Sequence, residues 1–183
     1  DLYFLPGGNP DLKKESGWTY DVGLSFAVGK ENIYSLSGSA TWFDSYIKDW
    51  IIWLPTPKGF FSPDNIKDVH AYGVELKANL DVALSKEWQL GLNGTFSWTP
   101  SINMGEPRTP ADRSVGKQLP YVPKLSSTVT GRLSWRRWTF LYKWCYYSER
   151  YTMSSNDISL SGKLPPYCMS NISLEKILSF KWA

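Results

Sequence analysis

Few side chains in this sequence have the type and spacing that catalysis requires. His70 is the only histidine, so a histidine-based triad or a zinc site would have to be built around it. Glu75 and Asp81 share one face of a predicted strand and resemble an acid/base pair, but charged side chains also line water-filled barrel interiors. We therefore expect no enzyme activity, no metal site and no cofactor, and we interpret His70 as a strand-start residue near a loop.

Aromatic side chains in long loops are better candidates for a function, because loops on a rigid scaffold commonly hold binding residues. Rings can stack on a flat or macrocyclic ligand, and an arginine can pair with an anionic one. The same rings could instead pack against one another or border a membrane, and both interpretations stay open. The candidate ligand-binding residues are Trp50, Trp53, Phe60, Phe61, Tyr121, Tyr147, Arg150 and Tyr151.

The composition is rich in aromatic residues although the chain is polar on average. It contains 10 Trp and 11 Tyr and has a mean hydropathy of -0.33. Rings with polar edges suit a boundary between lipid and water. The 20 basic and 17 acidic residues are scattered, without the basic run that tracks phosphates, so we expect no nucleic-acid partner. Cys145 and Cys168 could pair in an oxidising compartment, but unpaired packed thiols are the simpler expectation.

The first clear element is a strand from Trp18 to Val28, in which apolar or aromatic residues alternate with small or polar ones. Side chains along a strand alternate with a period of two, so the even-numbered residues share an apolar face and the odd-numbered ones, including Asp21, share a polar face. No apolar run reaches the roughly 18 residues of a membrane-spanning helix, which leaves a membrane barrel open.

The same alternation recurs along the chain, and two kinds of connection separate its copies. Short turns are predicted at 29–32, 85–87 and 136–137, and long aperiodic loops at 47–68, 99–123 and 148–166. The first of these loops is too rich in proline for a strand ladder. Strands are predicted at 18–28, 34–42, 72–84, 88–98, 125–135, 138–146 and, more weakly, 169–174.

The strict alternation of short turns with long loops indicates the fold class. Outer-membrane barrels sort their connections in this way, because their periplasmic ends are short turns and their extracellular ends are long loops. We predict an all-β, antiparallel transmembrane β-barrel, of which this chain holds about seven to eight strands. In it Trp18 would lie near the outer rim and Val28 near the periplasmic turn. A soluble β-sandwich that binds carbohydrate is the alternative.

Five segments, in order along the chain, carry a family resemblance. They are Asn9-Pro-Asp-Leu-Lys-Lys-Glu15 with the aromatic strand from Trp18 to Gly23, Tyr46-Ile-Lys-Asp49, Asn65-Ile66, Tyr72-Gly-Val-Glu-Leu76 and Gly116-Lys-Gln-Leu-Pro-Tyr-Val-Pro-Lys124. These segments resemble landmarks in the barrels of TonB-dependent outer-membrane receptors. Lys14 departs from the family's usual proline, which loosens that turn, and His70-Ala71 stand where the family often has variants with arginine.

The resemblance implies a barrel of about twenty-two strands around an N-terminal plug. Residues 1–183 would form part of that barrel, with the plug and the final strands outside this piece of a longer protein. It also implies energy-coupled uptake of a large scarce solute across the bacterial outer membrane, such as cobalamin, which we slightly favour, an iron-siderophore complex or a glycan. The expected partners are the lipid bilayer, the transported ligand, TonB through the plug region, and a surface lipoprotein. A passive porin is the alternative transporter.

Overall fold

The strands of the chain form one large antiparallel sheet and one small separate pair. The computed structural model describes residues 8–55, 60–107, 110–156 and 162–179. Its strands are β1 (Ser16–Lys30), β2 (Tyr34–Pro55), β3 (Phe61–Ala83), β4 (Trp88–Trp98), β5 (Ser101–Asn103), β6 (Leu125–Trp135), β7 (Trp138–Tyr147), β8 (Arg150–Tyr151), β9 (Lys163–Leu164) and β10 (Tyr167–Lys176). An 8-stranded sheet has the order β1-β2-β3-β4-β6-β7-β10 with β5 paired to β3, and β8 pairs with β9. The all-β, antiparallel prediction is confirmed.

The strand register gives the large sheet one apolar face and one polar face. Leu24 pairs with Ala40, Ala40 with Leu76, and Leu76 with Phe96, so these side chains form a row across four strands on the same face. Leu24 exposes 81% of its surface, and Leu76 and Phe96 are exposed as well. In the described part of the chain no helix is long and apolar enough to cross a membrane.

The polar face is crossed by hydrogen bonds and an ion pair between neighbouring strands. The Thr19 and Ser45 hydroxyls are 2.9 Å apart, and Arg132 Nη2 donates to Asp81 Oδ1 at 3.0 Å. Asp81 therefore pairs with an arginine two strands away, which favours the interpretation of this face as a solvated barrel wall over an acid/base pair of Asp81 with Glu75. Both members of the ion pair are about half exposed, so it adds little to stability.

The two ends of the sheet differ in their connections. The turn end holds the short links β1–β2, β3–β4 and β6–β7, and the loop end holds the longer ones. Asn32 (φ 59°) and Arg136 (φ 53°) adopt left-handed conformations in two of the turns, as tight hairpins require. Arg136 Nη2 lies 3.0 Å from the Glu87 carboxylate and lowers the pKa of that group by hydrogen bonding to it, which ties two adjacent turns together.

The first long connection is mostly strand, so the prediction of an aperiodic loop over 47–68 was wrong. β2 continues to Pro55 and β3 begins at Phe61, which extends the hairpin beyond the rest of the sheet. Register shifts between Ile47 and Ile51, with Asp49 in a left-handed conformation (φ 56°), break the period of two that sequence patterns detect. Trp50 and Trp53 consequently lie on β2 rather than in a loop.

The buried residues gather at the loop end. Val69 is 1% exposed, and Asn103, Ser114, Gln118 and Leu119 are also buried. β5 pairs with β3 at this point, and Asn103 Nδ2 donates to Ser114 Oγ at 3.1 Å. The connection between β4 and β6 therefore folds back onto the large sheet and forms a small packed core at its loop end.

Candidate ligand-binding site

The extended β2–β3 hairpin is held by the segment that precedes β1. Asn65 Oδ1 accepts a hydrogen bond from Lys13 N at 2.6 Å, and its Nδ2 donates to Lys13 O at 3.0 Å and to Asp49 O at 2.5 Å. Glu15 Oε1 accepts from Ile51 N at 2.7 Å, and Asn9 Nδ2 donates to the hairpin backbone. One asparagine side chain thus bonds both polar groups of the Lys13 backbone and fixes residues 9–15 against the hairpin.

Replacing Asn65 with alanine should release this segment. The change removes the two hydrogen bonds to Lys13, worth about 0.5–1.5 kcal/mol each, so the population of the open segment should rise roughly tenfold. Tryptic cleavage after Lys13 and Lys14 in the native full-length receptor measures the release. Asn79→Ala, which removes an asparagine on the polar face of the same strand, should leave the cleavage rate unchanged. Equal rates for the two variants would contradict the clamp.

The second and third long connections are joined by a reciprocal pair of hydrogen bonds. Gln118 N donates to Asn156 Oδ1 at 2.9 Å, and Asn156 Nδ2 donates to Gln118 O at 2.8 Å, so the asparagine amide pairs with the peptide group as a neighbouring strand would. Tyr121 N donates to Tyr151 O at 2.7 Å. Tyr121 takes a left-handed conformation (φ 61°) and exposes 63% of its surface at this junction.

A cluster of two tyrosines and one arginine lies at the loop end beside this junction. Tyr147 and Tyr167 are register partners on β7 and β10, and their rings stack with centroids 5.2 Å apart and planes 20° apart. The guanidinium of Arg150 lies 4.8 Å from the centre of the Tyr167 ring, which is a cation–π distance. Because side chains alternate along a strand, both rings lie on the polar face of the sheet, which faces the interior of the barrel.

Among the described residues, Arg150 contacts the Tyr167 ring and forms no ion pair with a carboxylate. The neighbouring Glu149 pairs with Lys163 at 2.5 Å, and this hydrogen bond raises the pKa of the Lys163 ammonium, which stays charged at neutral pH. Arg150 Nε is buried and has no hydrogen-bond partner among the described residues. A guanidinium held in this way can pair with an anionic group of a ligand that stacks on the rings.

The structure divides the predicted ligand-binding residues into two groups. Tyr121, Tyr147, Arg150 and Tyr151 meet at the junction of the second and third connections. The others belong to the first hairpin: Trp50 is half-buried, Trp53 is 49% exposed, Phe60 precedes β3, and the side chain of Phe61 lies outside the described residues.

The sequence interpretation missed Tyr167, Gln118 and Asn156. Tyr167 directly follows two prolines and lies two residues before the start predicted for the last strand. Its register with Tyr147 was the signal that could have found it. Gln118 and Asn156 are far apart in aperiodic segments, and no local pattern indicates that an amide side chain will pair with a distant peptide group.

His70 is an internal residue of its strand, so the prediction of a strand-start position was wrong. It lies within β3 on the apolar face, and its Nε2 is 3.0 Å from Asp44 Oδ2. Its ring lies 4.9 Å from that of Tyr72 and 6.3 Å from that of Tyr46. No group of three or more His, Cys, Asp or Glu side chains that could hold a metal ion occurs in the described ranges.

The two cysteines are free and point to opposite faces. Cys168 pairs in register with Tyr146, so it shares the apolar face with that residue, while Cys145 lies on the polar face. Cys145 is buried, with the Thr128 hydroxyl 3.7 Å from its sulfur, and Cys168 is exposed. Side chains on opposite faces of adjacent strands cannot reach each other, so the thiols are unpaired as expected, but only Cys145 occupies a packed position.

Comparison with known proteins identifies the family to which this chain belongs. A family model described as TonB dependent receptor-like, beta-barrel, matches residues 1–182. The chain belongs to the TonB-dependent receptor family. Members of this family are receptors and transporters of the bacterial outer membrane, and the expected location there is confirmed. In a TonB-dependent receptor barrel the apolar face meets lipid, the turn end is periplasmic and the loop end is extracellular.

Two curated relatives are vitamin B12 transporters. The chain is 35% identical over 82 residues to "Vitamin B12 transporter BtuB" of Photobacterium profundum, which covers 43% of this chain and 13% of that protein. It is 30% identical over 95 residues to the protein of the same name from Vibrio vulnificus, with coverage of 49% and 15%. The matches span a small part of the length of these TonB-dependent receptors.

Several solved structures share the fold of this chain. The copper transporter OprC aligns with a TM-score of 0.64 at 14% identity, over 94% of this chain and 24% of that one. The siderophore receptor PiuA from Acinetobacter baumannii aligns at 0.56 and 16% identity, over 88% and 22%. The ferric yersiniabactin uptake receptor FyuA from Yersinia pestis aligns at 0.54 and 22% identity, over 87% and 22%.

Proposed function

We propose that this chain is the part of a TonB-dependent receptor that helps to bind a large scarce solute at the cell surface for energy-coupled uptake, and that the solute is cobalamin. The stacked pair Tyr147–Tyr167 with the Arg150 guanidinium on it carries the proposal. Cobalamin has a flat macrocycle and a phosphodiester, which suit stacking rings and a guanidinium. The two curated relatives named as vitamin B12 transporters support this choice over an iron-siderophore complex or a glycan.

The position of the cluster also suits uptake. It lies at the loop end on the polar face, where a solute arriving from outside would first meet the interior of the barrel. The junction between the second and third connections holds it, so its geometry is set before the ligand arrives. Preorganised binding groups cost less ordering entropy on binding.

Arg150→Gln in the full-length receptor should weaken binding of cyanocobalamin about tenfold or more, because a charge-assisted hydrogen bond contributes roughly 1.5–3 kcal/mol. Tyr151→Ala and Trp53→Ala should weaken it as well. Arg132→Gln, which removes an arginine nearer the turn end, is the control and should bind as the wild type does. Titration calorimetry on the purified receptor measures all four affinities.

The outcomes separate the ligand from the site. If the wild-type receptor binds a ferric siderophore and not cyanocobalamin, and Arg150→Gln weakens that binding, the ligand is wrong and the site is right. If Arg150→Gln and Arg132→Gln have equal affinities for the bound ligand, the site is wrong. Energy coupling is tested separately, since uptake should be lost in cells that lack TonB.

A further inference from the structure

Four side chains form a row on the apolar face at the turn end. Trp88 pairs in register with Trp135, Trp135 with Trp138, and Trp138 with Lys176, so three tryptophans and one lysine line up across four adjacent strands. The rings of Trp88 and Trp135 stack with centroids 5.6 Å apart and planes 22° apart. We call these four residues the periplasmic row, because the turn end of the barrel is periplasmic.

Cations are held against the rings of the periplasmic row. The guanidinium of Arg136 lies 5.2 Å from the centre of the Trp135 ring, and Lys176 Nζ lies 4.5 Å from that of Trp138. Arg137 lies between Trp135 and Trp138 in the sequence, and its guanidinium contacts the Ser179 hydroxyl. Cation–π contact leaves the N–H groups of Lys176 that point away from the ring available to an anion, whereas Arg136 already pairs with Glu87.

The apolar face of the sheet is positively charged at its turn end but not at its loop end. Among the described residues near the row, Lys86, Arg136, Arg137 and Lys176 are basic, whereas Glu87 and Glu175 are acidic and Glu175 lies on the polar face. At the loop end the apolar face carries the carboxylates of Asp44, which pairs with His70, and Asp68, which accepts from the Tyr46 hydroxyl at 3.0 Å. The apolar face therefore favours an anionic partner at the turn end only.

We propose that the periplasmic row, with Arg137, binds the phosphate of an anionic phospholipid in the periplasmic leaflet. Tryptophan rings settle at the level of the lipid headgroups, which brings the cations beside them to the height of the phosphates. The Arg137 guanidinium and the Lys176 ammonium hold the phosphate, and the acyl chains lie along the apolar face above the tryptophans. The proposal concerns the lipid, so it is independent of which solute the receptor transports.

The test uses the full-length receptor in lipid nanodiscs of phosphatidylcholine that contain a small fraction of phosphatidylglycerol. Native mass spectrometry of the released receptor counts the phosphatidylglycerol molecules that stay bound. The wild type should retain phosphatidylglycerol in preference to phosphatidylcholine, and the double variant Arg137→Gln/Lys176→Gln should lose this preference about tenfold. Lys30→Gln is the matched control, because it removes an outward cation at the turn end of β1 that is outside the row.

Each outcome decides the proposal. Unchanged retention in the double variant, or an equal loss in Lys30→Gln, would overturn it, because the lipid would then respond only to total charge. If the double variant does not assemble, Lys176→Met, which keeps the aliphatic stem over Trp138 and removes the charge, takes its place. Retention by Lys176→Met equal to that of the wild type would likewise overturn the site.

Discussion

Leu24→Arg should prevent most of the full-length receptor from assembling in the outer membrane, whereas Ser25→Arg should leave assembly close to normal. Leu24 lies on the apolar face, about midway along β1 between Trp18 at the loop end and Lys30 at the turn end. It is 81% exposed, so an arginine there would face lipid. A basic side chain at the midplane of a membrane barrel costs about 2–4 kcal/mol.

Ser25 is the control for this change because it is the next residue and faces the other way. It pairs with Ser39 on the polar face and opens on a hollow of about 390 Å³ that is also lined by Lys77 and Asn79. An arginine has room and water there, and repulsion from Lys77 is screened. Heat-modifiable migration of outer-membrane fractions on gels measures assembly. Equal loss in the two variants would reverse the assignment of the faces.

Gly73→Ala should destabilise the barrel at the loop end, while Gly94→Ala should not. A Cβ added at Gly73 would lie 2.0 Å from the carbonyl oxygen of Trp98, and this contact involves backbone, which cannot rotate away. At Gly94 an added Cβ meets nothing within 4 Å. Overpacking of this kind costs about 1–3 kcal/mol.

The position of Gly73 explains its sensitivity. β3 pairs with β4 up to Val74 opposite Trp98 and then with β5 from Ala71 opposite Ser101, so the chain bends across β3 at this glycine. Pushing the backbone apart there would loosen the small core at the loop end. The temperature at which the folded barrel loses heat-modifiable migration should fall for Gly73→Ala and stay unchanged for Gly94→Ala. A fall of equal size in both would mean that the close contact is not the cause.

The sequence predicted the sheet well because its faces follow a simple rule. In a membrane barrel every strand must show apolar residues to lipid and polar ones to the interior, so the period of two persists from Trp18 to Leu174 wherever the chain crosses the wall. The short turns at Asn32 and Arg136 interrupt that period briefly and are easily placed. Side-chain alternation and short turns each depend on residues that are close together in the sequence, so they can be predicted from the sequence alone.

The long connections could not be predicted because their structure depends on distant contacts. The β2–β3 hairpin extends beyond the membrane, where neither face must be apolar, and the left-handed Asp49 shifts its register. Pro63 is compatible with a strand where no ladder donor is needed. The candidate site was predicted only in part, since Tyr147 and Arg150 were chosen by residue type while Tyr167 depends on strand register.

The reciprocal amide pair between Gln118 and Asn156 has a consequence for the rate of ligand capture. Because the two outer connections are fastened to each other and the second is packed at the loop end, neither should open without the other. A joint opening has one rate, so capture of the solute should show a single kinetic step. Severing the pair, for example with Asn156→Ala, would give each connection its own rate and turn one relaxation into two.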